Sequence, residues 1–200
     1  MIDTVEELER VYGEASPNAL LKVATRLTPE YRAWIEASPF CALATSGPEG
    51  IDCSPRGDDG PVLAVLDDRT LAMPDWQGNN RLDSLRNIVR DPRVSLMLLI
   101  PGAEIVMRVN GTARITAEAE MLARFAAHDT APRTVILFEV AEVYFQCSKA
   151  VRRSGLWSGA HPDPATLPSP GRMLKGILRA DFDADSYDKT YPDAIAKAMW

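Results

Sequence analysis

Histidine is almost missing from this chain of 200 residues, with only His128 and His161, each isolated. No ligand-spaced histidine motif exists, so metal catalysis is poorly supported and both histidines read as surface or loop residues. Cysteine is also scarce. Cys41, Cys53 and Cys147 are odd in number and lack CxxC spacing, which fits a reduced, cytoplasmic protein better than a disulfide framework. They fall in or at the ends of predicted strands and no G-x-S-x-G is present, so they read as small buried hydrophobes, not nucleophiles. Long apolar runs are absent as well. The longest, around 94–100, is far short of the roughly 20 residues that a membrane-spanning helix needs. The N-terminus MIDTVEELERVYG is acidic and helical in pattern, unlike a signal peptide. The βαβα rhythm of a nucleotide-binding parallel sheet is missing, and no G-x-G-x-x-G follows a strand. A formal net charge of -6 argues against broad binding to nucleic acid, yet leaves room for one local basic pocket.

The remaining composition, 46% hydrophobic and 25% charged, is that of an ordinary globular chain, long enough for one domain with a sizeable core. Residues 1–38 read as a helical segment packed on a larger body. Thr4 with Glu7 suggests a capping box, and Ser16-Pro17 and Thr28-Pro29 each place a cap before a first-turn proline. Leu20, Leu21, Val23 and Leu27 are its candidate packing positions. Strands are then predicted at 40–45, 51–54, 62–66, 70–73, 94–100, 104–115 and 135–147, with helices near 80–89 and 117–127. Six or seven strands, mostly joined as hairpins, predict a mainly β fold with flanking helices, an antiparallel barrel over 39–158. The tail, 159–200, reads as a proline-rich loop followed by helices at 171–178 and 192–200.

Three polar clusters carry the candidate chemistry. GNNRLDSLRNI places Asn79, Asn80, Arg81 and Ser84 at the start of a helix whose apolar face is Leu82, Leu85, Ile88 and Val89. Asparagine is a common helix cap, so one reading is a capped surface helix; the other is a phosphate site at the helix terminus. SPRGDDG supplies Ser54, Arg56 and Gly57, a hydroxyl, a planar cationic fork and a residue that lets backbone approach a ligand. The two clusters flank one hairpin, so Arg56 and Arg81 are candidates to converge on a single phosphate. CSKAVRRSGLW adds Lys149 and Trp157. It reads either as a solvated basic helix or as a cap on a flat anionic cofactor.

In order, SPRGD, VLDDRTLAMPD, GNNRLDSLRNI, DPRVSLMLLIPG, RVNGTARIT and CSKAVRRSGLW resemble the FMN-binding split-barrel flavoproteins related to pyridoxamine 5'-phosphate oxidase. They are most similar to a bacterial FMN-dependent branch of that family, over roughly residues 30 to 175. The resemblance implies a six-stranded antiparallel split β-barrel and a homodimer with FMN at the subunit interface. It also implies an oxidoreductase acting on a small molecule. On this resemblance the FMN phosphate is gripped by Ser54, Arg56, Asn79, Asn80, Arg81 and Ser84. Met73 and Pro74 lie beside the flavin ring, and Lys149 and Trp157 reach toward it, in some relatives across the dimer. The strand reads SPRGD where the vitamin-metabolising oxidases carry an Arg-plus-Lys pattern, and the tail lacks their Arg-x-His. Both departures argue against pyridoxamine phosphate as substrate. A non-catalytic flavin or haem sensor or carrier, and a reductase using a deazaflavin, remain open alternatives.

Overall fold

Strand-forming residues organise the computed structural model, which describes residues 1–127, 130–159, 161–178 and 182–199. The strands are β1 (Phe40–Gly47), β2 (Gly50–Gly57), β3 (Ala64–Val65), β4 (Thr70–Asp75), β5 (Arg93–Leu99), β6 (Val106–Thr116) and β7 (Thr134–Gln146). They form one antiparallel sheet in the order β2-β1-β5-β6-β7-β4-β3. The six strands implied by the resemblance are therefore seven, and β2 and β3 are the two ends of the hydrogen-bonded order. The seventh is the two-residue β3: in the apolar stretch 62–66 only Ala64 and Val65 pair with β4, while Val62 and Leu63 turn into the core.

Alternation along the strands separates two faces. Cys41 and Leu43 of β1 lie opposite Leu98 and Leu96 of β5, and those face Met107 and Val109 of β6. All six are buried, and with Leu63, Leu71, Ile136, Phe138 and Val143 they make one core. The opposite face carries Phe40, Ile51 and Met97, all exposed. Cysteine splits along the same line. Cys41 is in the core, where burial pushes its thiol up to about 12, whereas Cys53 and Cys147 are exposed, contrary to the expectation that all three are buried.

Eight α-helices are described: α1 (Val5–Tyr12), α2 (Pro17–Leu21), α3 (Pro29–Glu36), α4 (Asp83–Arg90), α5 (Ala119–Arg124), α6 (Lys149–Ser154), α7 (Pro170–Leu178) and α8 (Ala184–Lys197). Thr4 and Thr28 cap α1 and α3 through their hydroxyls, as expected, but Ser16 makes no side-chain cap. Of the N-terminal apolar positions, Leu27 is buried and Val23 half-buried, while Leu20 and Leu21 are exposed and α1 buries nothing. The last helix starts earlier than proline alone suggests. Asp183 caps it at Ser186 N, and Pro192 lies inside it. His161 Nε2 is 3.2 Å from Leu156 O; His128 and Trp200 lie outside the described residues. Among the described residues no helix is long and apolar enough to cross a membrane.

Two glycines set close approaches. At Gly47 a Cβ would fall 2.2 Å from Asn87 Oδ1, so the buried Asn87 side chain of α4 occupies the space that a Cβ on β1 would take. At Gly111, beside the β6 bulge, a Cβ would lie 1.9 Å from Glu139 O of β7. Replacing either with alanine is expected to lower unfolding free energy by about 1–3 kcal/mol in urea titrations. Gly60→Ala, with no atom within 4 Å, is expected to stay within about 0.5 kcal/mol of wild type. A Gly111→Ala protein as stable as wild type would contradict this packing.

Candidate functional site

The register of β2 against β1 builds the first wall. Arg56, Ser54 and Asp52 lie opposite Cys41, Leu43 and Thr45, so three polar side chains share the face that the core occupies one strand away. All three are half-buried. Helix α4 closes over this row: Ser84 Oγ donates to Asp52 Oδ2 at 2.5 Å, and Asn87 Nδ2 donates to Thr45 Oγ1 at 3.2 Å. Ser54 Oγ donates to the same Asp52 oxygen at 2.8 Å. The second wall comes from the other end of the sheet. Asp75 of β4 pairs with Thr134 of β7, which also brings Arg133 to the cleft. Arg56 Nη1 reaches across to Asp75 Oδ1 as a short ion pair, with side-chain exposures of 24% and 11%.

The approach to α4 differs from a simple asparagine cap. The helix begins at Asp83, its cap position is Leu82 at φ 61°, and no side chain caps it. Asn79 Oδ1 accepts instead from Arg81 N at 3.0 Å, and Asn80 also has positive φ, 59°. Asparagine tolerates this left-handed region, but a leucine there is strained. The asparagines therefore shape the loop before the helix. The capping account fails.

These elements surround a cleft of about 720 Å³ lined by Ser54, Arg56, Asn79, Asn80, Arg81 and Ser84, six of the residues singled out from sequence. A second cleft of about 830 Å³ adjoins it, sharing Pro55, Arg56, Trp76 and Gly78, and includes Gly57, Met73 and Pro74. Lys149 and Trp157 line neither. Trp157 Nε1 donates to Ala103 O at 2.7 Å and Arg152 pairs with Glu104 at 2.9 Å, so that segment packs on the turn between β5 and β6. His161 is on the same segment, away from both clefts.

Sequence reading missed the carboxylates. Asp52, Asp75 and Asp83 line the first cleft with Arg56, Arg81 and Arg133, three of each sign. Arg81 Nε pairs with Asp83 Oδ2 at 2.8 Å, and Arg133 Nη1 donates to Asn80 Oδ1 at 3.1 Å. Strand alternation alone places Asp52 in the row of Ser54 and Arg56, and that signal was available. Two buried polar atoms of residues lining this cleft, Arg56 Nε and Thr134 Oγ1, have no hydrogen-bond partner among the described residues. Such orphans are uncommon, and each is a polar group that the chain itself leaves unsatisfied.

Asp58 lines the second cleft. Burial pushes its carboxyl above the ordinary aspartate value, against hydrogen bonds from Asp59 N at 2.9 Å and Trp76 Nε1 at 3.3 Å.

Residues 27–147, more than half the chain, match the family model described as pyridoxamine 5'-phosphate oxidase. The chain belongs to that family. No curated protein matches it. Among solved structures it resembles HupZ of group A Streptococcus at 17% identity, covering 61% of this chain and 95% of that one, with a TM-score of 0.50. It also resembles general stress protein 26 from Bacillus anthracis (15% identity, 58% and 91% covered, TM-score 0.45) and an F420 reductase (18%, 60% and 98%, 0.42). The HupZ likeness shows a shared fold. Family membership supports flavin-type oxidoreductase chemistry for the chain without selecting a ligand.

A pH prediction follows from Asp58. Its folded carboxyl binds a proton more tightly than the unfolded one, so its contribution to stability is greatest in acid. That contribution falls as pH rises from the unfolded value through the raised folded value. Relative to Asp58→Asn, wild type should lose stability as pH rises from the ordinary aspartate value of about 4 upward, read as the difference in urea midpoints. A difference that moves in favour of wild type over that range would contradict the burial argument.

Proposed function

We propose that this chain is an FMN-dependent oxidoreductase acting on a small molecule other than pyridoxamine 5'-phosphate. The carrying observation is the pair of orphaned buried atoms, Arg56 Nε and Thr134 Oγ1, inside a cleft that also holds Arg81 and Arg133. An acceptor-rich, anionic ligand satisfies both orphans and recruits cations already in place. The polar cleft then takes the phosphate-bearing end of FMN, among Ser54, Arg56, Asn79, Asn80, Arg81 and Ser84. The adjoining cleft, with Gly57, Met73, Pro74 and Trp76, takes the ring. Arg56 belongs to both linings and so stands where chain and ring meet.

Bound FMN supplies two-electron chemistry, and the protein supplies orientation and exclusion of water. Trp76 and Pro74, with the buried Val62 and Met73, line the ring side and exclude water from it. Asp58, with its raised affinity for protons, and Asp59 are the carboxylates lining that space.

The functional unit in this reading is a homodimer, with FMN at the subunit interface and the split-barrel arrangement of the family. Support comes from the sheet face that carries Phe40, Ile51 and Met97 at 40%, 84% and 44% exposure, apolar surface that a two-fold partner covers. Phe40 also lines the ring cleft, so that face and the site are continuous. Lys149 and Trp157, distant from the clefts of their own chain, then belong to the dimer-level site.

Purified protein titrated with FMN is expected to bind about one flavin per chain, and Arg56→Ala to weaken binding about tenfold or more. NADH or NADPH should bleach the bound flavin and oxygen restore it. A protein that refuses FMN yet takes up a deazaflavin or haem would overturn the cofactor assignment. One that holds FMN without being reduced by any donor would overturn the enzyme reading and leave a carrier.

A further inference from the structure

Hydroxyl protons decide what each wall of the polar cleft can receive. Asp52 Oδ2 accepts from both Ser54 Oγ, at 2.8 Å, and Ser84 Oγ, at 2.5 Å. A carboxylate can only accept, so both hydroxyl protons are committed to it, and each serine turns lone pairs toward any further partner. Ser84 is 3% exposed, which holds its hydroxyl in place. Asp52 Oδ1 receives no hydrogen bond from the described residues. This corner therefore carries a negative charge and acceptor atoms. It repels a phosphate and suits hydroxyl donors.

The cations are not equivalent either. Arg56 is tied to Asp75, half-buried, and Arg81 to Asp83. Among the described residues Arg133 has no carboxylate partner, and its one side-chain bond goes to Asn80 Oδ1. The remaining donors of its fork are open to an anion, and the orphaned Thr134 Oγ1 is on the next residue. The Arg81–Asp83 pair is largely exposed, 77% and 41%, so a ligand can draw Arg81 away at little cost.

We propose that the polar cleft has two chemically distinct ends. Asp52, with Ser54 and Ser84, receives the hydroxyl groups of a polyol chain, and Arg133, with Asn80 and Arg81, takes the phosphate. This rests on reading the clefts as a flavin site, and it reassigns Ser54 and Ser84 from the phosphate to the ribityl chain. Arg133 and Asp52 become the residues that set ligand selectivity.

The test is to titrate FMN, riboflavin and lumiflavin, which lacks the ribityl chain, into wild type, Arg133→Ala and Asp52→Asn. The ratio of affinities on one preparation does not depend on how much of that preparation is folded. Arg133→Ala is expected to weaken FMN about tenfold and leave riboflavin unchanged. Asp52→Asn is expected to weaken FMN and riboflavin by the same factor and leave lumiflavin unchanged. An Asp52→Asn protein that gains FMN relative to riboflavin would place the phosphate at Asp52 and overturn the proposal while the flavin reading stands. Equal loss of FMN and riboflavin in Arg133→Ala would also overturn it. Wild type that binds none of the three overturns both.

Discussion

Everything at the candidate site depends on the Arg56–Asp75 ion pair. Arg56 is on β2, the first strand in the hydrogen-bonded order, and Asp75 is on β4, the sixth. A flat sheet would separate them by several strand spacings of about 4.8 Å each. Their contact means that the sheet curls until its ends meet through side chains. Backbone bonds from Asp58 N to Pro39 O and from Val62 N to Ser38 O fix the chain that links the two ends. The half-buried pair itself is a weak source of net stability, because both charges lose water on burial. Its value is geometric. It holds two walls, from opposite ends of the sheet, on either side of one cleft.

That geometry explains why the cleft is balanced in charge. An unpaired arginine behind a curled sheet would be costly to desolvate, and Asp75 offsets Arg56 where exposure is lowest. The Arg56 Nη1 bond leaves Nε without a partner, because one carboxylate oxygen cannot serve every donor of the fork. What the cleft leaves unsatisfied is a donor of the fork, not a net positive charge. Helix α4 is held to the same standard. Gly47 admits it, Asn87 bonds Thr45, and Ser84 bonds Asp52, so the helix is pinned at its inner face while Arg81 stays exposed and adaptable.

Much of the fold was legible because alternation and helical spacing are local. The strands beginning near Phe40, Val94 and Val135 follow from runs of apolar residues, and their core positions are those that alternation selects. β3 was harder, since Val62 and Leu63 are apolar for burial and not for strand pairing. The left-handed Leu82 has no local signal at all; leucine favours a helix interior, and only the surrounding loop imposes that backbone. The arginines and serines of the site were visible as clusters, but their partners were not. Asp75 becomes a partner of Arg56 only through curling, and Arg133 reaches Asn80 only through the register of β4 on β7.

The serines show most sharply why residue type underdetermines role. A serine near an arginine reads as a phosphate ligand, because a hydroxyl donates. Asp52, two residues before Ser54 on the same strand face, reverses that sense by taking the proton. Ser84, thirty-two positions along the chain, is reversed by the same oxygen. One carboxylate therefore converts two apparent donors into acceptors, and it does so only because β2 and α4 meet. Polarity in such a cleft is a property of the hydrogen-bond network, set by where its last acceptor lies. The ion pair that closes the sheet and the aspartate that orients the serines are then parts of one constraint. The first sets two walls of the cleft against each other, and the second fixes which way the hydroxyl protons on one of them point.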